Sequence, residues 1–304
     1  MHIETIPGPA TGQPQTSGEA QAYLDAHRER LHTELMARLR ASVHAHRCYT
    51  TSRRDDPLPV DPQASMQTRT LRKNQHFSVE LWTLMTGQCM PWPAGTLAME
   101  VLVVHGELRH CTARELPIVG EHGYLVCDQA LNEQAWVTAG PTTVYVRRRL
   151  APLQDLAPLE AHWWQLAAAQ RAAMKPKRWV PATPGVSVTA LCGDSQVVSM
   201  LVRFEAGASV VDHHHAIDED CLVLEGDMYL GDILLRAGDF QLAPAGSSHV
   251  GEMSDGGVTF YLHGALDPVL LGNCSKVCFR TFSFFHDSLV QKLLKSPYLF
   301  GPNQ

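Results

Sequence analysis

This sequence predicts a mainly β fold built from two small barrels. Three observations carry the prediction. Apolar residues alternate with a period of two in two separate regions, an internal repeat superimposes those regions, and helical segments are expected only outside them, before, between and after. The length of 304 residues suits two domains of ordinary size, and an apolar fraction of 45% is enough to fill their cores.

Taken in order, residues 1–16 are rich in Pro, Gly, Thr and Gln and are expected to be disordered. Tyr23, His27, Leu31, Leu35, Leu39 and Val43 then recur every four residues, with Arg28, Glu29, Arg30 and Glu34 between them, which predicts an amphipathic helix over 17–46. Three prolines and three aspartates mark 53–62 as a linker. From Asn74 the pattern shortens, and Phe77–Leu84 and Glu100–Val104 read as strands. A second helix is expected over 158–174, started by Pro158, with Trp163, Leu166, Ala167 and Met174 as its buried stripe. Strands resume from Gly185 to about Gly264, and a short helix is expected near Asp287–Leu294, after Phe279, Phe282, Phe284 and Phe285. The expected division is therefore 1–62 (disordered start, helix and linker), 63–150 (first barrel), 151–180 (helical connector), 181–266 (second barrel) and 267–304 (tail).

A shift of 120 places Gly87 on Gly207 and Gly106 on Gly226, and matches Val101–Leu108 with Cys221–Met228. After a loop five residues longer in the first copy, a shift of 115 places Gly123 on Gly238 and Thr143–Val146 on Val258–Tyr261. Glycines and strand pattern are shared because a common backbone requires them.

The chemistry sits in the second copy alone. Gly207, His213, His215, Glu219 and Gly226 form G-x5-H-x-H-x3-E-x6-G, and Gly238, Pro244, Gly246 and His249 form G-x5-P-x-G-x2-H. Side chains two apart on a strand share a face, so His213 and His215 converge while His214 turns away. Glu219 follows a short turn, and His249 arrives after the Pro244–Gly246 turn. Three neutral imidazoles and a carboxylate suit one divalent ion such as iron, manganese, nickel or zinc, and leave about two positions of an octahedral ion open. In the first copy Pro93, Gly95, Met99 and Gln134 stand at the four ligand positions, so that barrel is expected to hold no metal.

Other residues carry weaker readings. Cys221, Val223, Met253, Tyr261 and His263 either line the pocket or belong to the barrel core. Asp218 and Asp220 flank Glu219 and read as rim charges, and Arg147–Arg149 as a solvated strand end. His44, His46 and Cys48 read as a polar helix terminus, and Cys274 and Cys278 as structural thiols. A net charge of −6 argues against nucleic-acid and anionic-membrane partners. No secretory signal and no long apolar run is visible, and the eight cysteines are scattered, so a cytoplasmic protein with reduced thiols is expected.

The two motifs resemble the two halves of the cupin signature. The run from Phe204 through His213, His215, Glu219, Gly226, Gly238 and Pro244 to His249 is similar to the ChrR-like cupins first associated with anti-sigma factors. The resemblance implies jelly-roll (double-stranded β-helix) barrels, a bicupin through the repeat, and His213, His215, Glu219 and His249 as metal ligands. Met253 departs from the asparagine that often closes the second motif. The H-x3-C-x2-C zinc module of the ChrR-type anti-sigma factors has no counterpart, because the chain contains no C-x2-C. The leading functional expectation is a metal-dependent enzyme of dioxygenase type acting on a small organic molecule, with Glu219 both a ligand and the acceptor of the substrate proton. The alternative is a non-catalytic regulatory or sensory cupin that binds a metabolite or responds to oxidants. Either form is compatible with a homo-oligomer.

Overall fold

Where apolar and polar side chains alternate, the chain forms antiparallel strands, because successive side chains then face opposite sides of a sheet and one side is buried. The computed structural model describes residues 17–57, 66–111, 118–128, 136–170 and 178–267. The expectations for residues 1–16, Gln134, Met174, Cys274, Cys278 and the helix near 287–294 lie outside them. The chain divides into two units, residues 1–47 and 48–304. Helix α1 (Ser17–Cys48) accounts for the described part of the first. Its Tyr23, Leu31, Leu35, Leu39 and Val43 are exposed, and Asp25–Arg28 and Arg30–Glu34 pair along its surface. No helix among the described residues is long and apolar enough to cross a membrane.

In the second unit the first half runs β1 (Thr50–Ser52), β2 (Met66–Lys73), β3 (Phe77–Leu84), β4 (Ala98–His105), β5 (Leu108–His110), β6 (Tyr124–Asp128), β7 (Trp136–Thr138) and β8 (Thr142–Arg149). Helix α2 (Pro158–Gln170) connects to β9 (Val180–Thr183), β10 (Val186–Gly193), β11 (Val197–Phe204), β12 (Ala208–Ser209), β13 (His213–His214), β14 (Glu219–Leu230), β15 (Ile233–Arg236), β16 (Phe240–Ala243), β17 (Ser248–His249), β18 (Glu252–Ser254) and β19 (Val258–Ala265). The fold is thus mainly β, as expected, and its strands pair antiparallel. One strand lies where no strand was foreseen: β1, inside the 1–62 segment, pairs with β16 in register Thr50↔Leu242 and so belongs to the second half's sheet.

The two halves repeat one connectivity. The order β2-β3-β8-β4-β6 in the first corresponds to β10-β11-β19-β14-β16 in the second. Their irregularities repeat as well: register shifts at Thr70/Arg72 and Val103/His105 recur at Ala190/Cys192 and Val223/Glu225. The later shift is 116 rather than 115, since Leu84 pairs with Thr142 where Phe204 pairs with Val258. His122, at φ 58, therefore stands on Gly238, at φ 89. Matching glycine to glycine misplaces the alignment by one residue. Backbone geometry rather than residue identity is what the copies share.

Gly226 shows why this backbone needs glycine. It has φ 75, and a Cβ there would lie 2.1 Å from the Gly257 carbonyl oxygen, while at its counterpart Gly106 a Cβ would meet Pro141 O at 2.6 Å. Neither contact can be relieved by rotating a side chain. Gly226→Ala is expected to destabilise the fold by at least about 2 kcal/mol, measured by chemical denaturation. A change below about 0.5 kcal/mol would show that the two hairpins separate freely.

Two clusters form the core. Trp82, Met99, Val101, Leu108, Trp136 and Val144 fill the inside of the first half. Phe77 and Tyr145 of the first half, Trp163 of α2, and Leu201, Phe240 and Tyr261 of the second join in one cluster between the halves. Ionic groups are embedded in that contact. Arg147 is fully buried, bonds to Glu160, and lies 3.7 Å from Glu100 and 3.8 Å from Asp220. Arg72 reaches Asp220 at 2.8 Å and Asp218 at 2.9 Å. Two sequence expectations are corrected here. Arg147 and Arg148 are buried rather than solvated, and Asp220 is a buried charge rather than a rim charge. Each has found a partner far along the chain.

Candidate metal centre

Two very short strands build the site. β13 and β17 pair so that His213 lies directly opposite His249, and the ladder continues as the His215 amide donates to Ser247 O. Glu219 opens β14, opposite Ala243. Gly264 backs its side chain closely, since a Cβ at that position would lie 3.0 Å from Glu219 Oε2. The outcome is that His213, His215, Glu219 and His249 are all buried and each offers one ligand atom within 4.8 Å of the others.

Hydrogen bonds set the tautomers. Ser247 Oγ donates to Pro244 O, so it accepts from His215 Nδ1 at 2.9 Å. His213 Nδ1 donates to Val211 O at 3.1 Å. Both rings are therefore protonated at Nδ1, and each presents a bare Nε2 to the site, as a metal-binding imidazole must. His215 Nε2 is buried without a hydrogen-bond partner, which is costly unless a cation takes the lone pair, and His249 turns its Nδ1 towards Glu219. The residues fit a divalent ion of the borderline series.

Electrostatics agree. Burial, then the neighbouring imidazoles, pushes His215 down to about 4 and His249 well below the ordinary histidine range. Burial, then Glu252 and Asp220, pushes Glu219 well above the carboxylate range. Glu219 Oε1 lies 3.6 Å from His215 Nε2 and 3.5 Å from His249 Nδ1. Among the described residues no arginine or lysine pairs with it.

The expected pocket residues are placed as follows. Cys221 and Val223 are buried on the Glu219 face of β14, and burial together with Glu252 and Glu219 pushes the Cys221 thiol well up. Met253 is half-buried on β18, opposite Ser209 and Tyr229. Tyr261 and His263 are buried with other partners: Tyr261 donates to Glu100 at 2.5 Å, while His263 contacts Ser199 at 2.9 Å and Glu160 at 3.5 Å. Two residues at the site were missed. Glu252 lies 3.8 Å from His213 Nε2 and 3.7 Å from His249 Nδ1. Tyr49, just before β1, sets its ring edge-on to His249 at 5.4 Å and donates its hydroxyl to Ser248 O.

The strand connectivity is that of a cupin-type fold, with the His/Glu cluster buried in its second half. Residues 168–267, which contain all four candidate ligands, match the ChrR Cupin-like domain. No curated protein matches the sequence. Among solved structures, protein YlbA from E. coli is similar at 14% identity, over 72% of this chain and 90% of that one, with a TM-score of 0.50. A protein from Nostoc punctiforme, provisionally described as a dioxygenase, is 14% identical over 72% of this chain and 86% of its own, at a TM-score of 0.49. A glutamate-to-alanine mutant of Bacillus subtilis oxalate decarboxylase is 13% identical over 71% of this chain and 77% of its own, at 0.46. These likenesses concern the fold.

Proposed function

We propose that the chain binds one divalent metal ion, iron, manganese, nickel or zinc, through His213, His215, Glu219 and His249, and acts as a metal-dependent enzyme of dioxygenase type on a small organic molecule. The observation that carries this reading is the pair of imidazoles locked with bare Nε2 atoms beside a buried carboxylate. When bound, the ion supplies Lewis acidity and an open coordination side. The protein's own contribution is to hold the imidazoles neutral, to keep water from the ligands by burial, and to offer Glu219 as a proton acceptor.

In this reading the first half, residues 63–150, is a metal-free partner barrel. Met99 stands where Glu219 is, inside an apolar interior. Residues 151–180 are the connector, 181–266 the working barrel, and the protein is cytoplasmic. A second reading, a regulatory or sensory cupin, is favoured by one observation: the exposed apolar side chains along α1 offer a partner something to bind.

Elemental analysis of protein purified without a chelating tag, followed by oxygen-uptake assays with small phenols and diketones, separates the two. One equivalent of iron, manganese or nickel with substrate-dependent uptake supports the enzyme. Stoichiometric zinc without turnover supports the regulator, and two equivalents per chain would contradict a metal-free first half.

A further inference from the structure

Glu252 occupies a position that the four-residue set does not explain. It opens β18, three residues after His249, and Gly251 between them has φ 70. That left-handed residue breaks the alternation, so His249 and Glu252 both turn inward while Val250 is exposed. The backbone around Glu252 is fixed on three sides. Its carbonyl accepts from Val210 N–H at 3.1 Å, it pairs with Leu230, and Gly251 N–H is held by Asp212 at 2.9 Å.

Its side chain mirrors that of Glu219. Glu219 Oε1 spans His215 and His249 at 3.6 and 3.5 Å, whereas Glu252 Oε2 spans His213 and His249 at 3.8 and 3.7 Å. Ligand atoms about 2.1 Å from one octahedral ion lie about 3.0 Å apart when adjacent and about 4.2 Å apart when opposite. All four separations fall between these limits. Neither carboxyl has an arginine or lysine partner among the described residues, so two buried acids share one site with three neutral rings. A divalent cation neutralises that pair, as a low-dielectric interior demands.

The repeat gives an independent indication. β5 and β7 pair as His110↔Trp136 where β14 and β18 pair as Leu230↔Glu252, so Trp136 is the counterpart of Glu252. Met99 is the counterpart of Glu219, and Met99 and Trp136 both lie in the apolar cluster inside the first half. The half that lacks one carboxylate lacks the other.

We infer that Glu252 is a fifth, anionic member of the metal centre, facing the side of the ion that the four-residue set leaves open. The inference rests on the four-residue reading above. It makes the occupied centre neutral overall and leaves about one exchangeable position instead of about two. Neutral oxygen-bearing molecules then suit the open side better than dicarboxylates, which would return net negative charge to a buried site.

The test is titration of the full-length apoprotein with Mn(II), read by calorimetry and by water-proton relaxation, for wild type, Glu252→Gln and Glu252→Ala. Wild type is expected to hold about one exchangeable water on the ion, and both variants about two. Affinity is expected to fall by about 10- to 100-fold. The metal-free Glu252→Gln protein is expected to melt above wild type, because a buried acid without an arginine or lysine partner is replaced by a neutral amide. Loss of affinity with a gain in apo stability is a combination that a merely structural glutamate would not produce. Wild-type affinity and water number in Glu252→Gln would overturn the inference while leaving the four-ligand site standing. A Glu252→Gln chain without near-ultraviolet dichroism would overturn it too, by assigning Glu252 to the fold. Failure of wild type itself to take up Mn(II) or Zn(II) would instead sink the four-residue reading and this inference together.

Discussion

Saturating Zn(II) or Mn(II) is expected to raise the melting temperature of the wild-type chain and to leave that of a His213→Ala/His249→Ala variant unchanged. An ion that binds only the folded state adds about 2.7 kcal/mol of stability at a hundredfold excess over its dissociation constant, and the two histidines face each other across the β13–β17 pair. The increment should also depend on pH. Burial raises Glu252 to about 8 and carries Glu219 well above the carboxylate range. A raised folded-state pKa means that stability is fully present below the unfolded carboxylate value of about 4.3 and is lost as pH climbs towards the folded value. The metal-free protein therefore loses stability between about pH 4.3 and 8, and the cation relieves that loss. The imidazoles act the other way. His215, lowered to about 4 by burial and then by His213, contributes stability above about pH 6.5 that is lost on acidification. Between about pH 6.5 and 8 only the carboxylates are changing, so the metal-induced rise in melting temperature should grow across that window. A pH-independent rise, or an equal rise in the double variant, would remove the ion from this site. Differential scanning fluorimetry at fixed metal excess suffices.

The cluster of four candidate ligands was legible because metal chemistry and strand geometry both constrain local spacing. His213 and His215 are two apart, and the glycines around them mark turns that leave few alternatives. Glu252 was missed for a local reason as well. Strict alternation from His249 points to Met253, and only the left-handed Gly251 moves the inward position to Glu252. A glycine between two polar residues at a strand junction was the available signal. Tyr49 and β1 left no such trace, since pairing with β16 joins residues about 190 apart, and three residues carry too little periodicity to announce a strand. The repeat was visible through glycine and strand pattern, yet its last register slipped by one, because the position of Gly238 needs a positive φ and His122 supplies it in the first half. The burial of Arg147 was not legible at all. Three consecutive arginines look alike in a sequence, and what distinguishes Arg147 is Glu160 on a following helix and Asp220 in the other half.

Arg147→Met is expected to cost roughly 3–5 kcal/mol of folding stability, the usual consequence of leaving buried charges without their counter-ion. Arg147 also lies over the Phe77 ring at 4.5 Å, so part of the loss is packing. The pH dependence identifies the ionic part. Burial alone would raise Glu160, but the Arg147 guanidinium and then His263 outweigh it and hold the carboxyl well below its usual range. A depressed pKa gives stability that is present above about pH 4.3 and is lost as pH falls through the folded value. In the variant the orphaned acids protonate more readily. The gap between wild type and variant should therefore be widest near neutrality and narrow in acid, which urea denaturation at several pH values can follow. A gap below about 1 kcal/mol, or one unchanged between about pH 7 and 4, would mean that the arginine serves as packing alone. Removing the helix partner as well, in Arg147→Met/Glu160→Leu, should recover part of the loss, since the penalty lies in the unpaired charge rather than in the absent bridge. The same network bears on the metal centre through β14. Asp220, held by Arg72 and near Arg147, follows Glu219 directly, and His263 precedes the Gly264 that backs the Glu219 side chain. Loosening the contact between the halves should therefore weaken metal binding by about 10-fold while stoichiometry is kept. Through that coupling the first half holds in place the strand that presents Glu219.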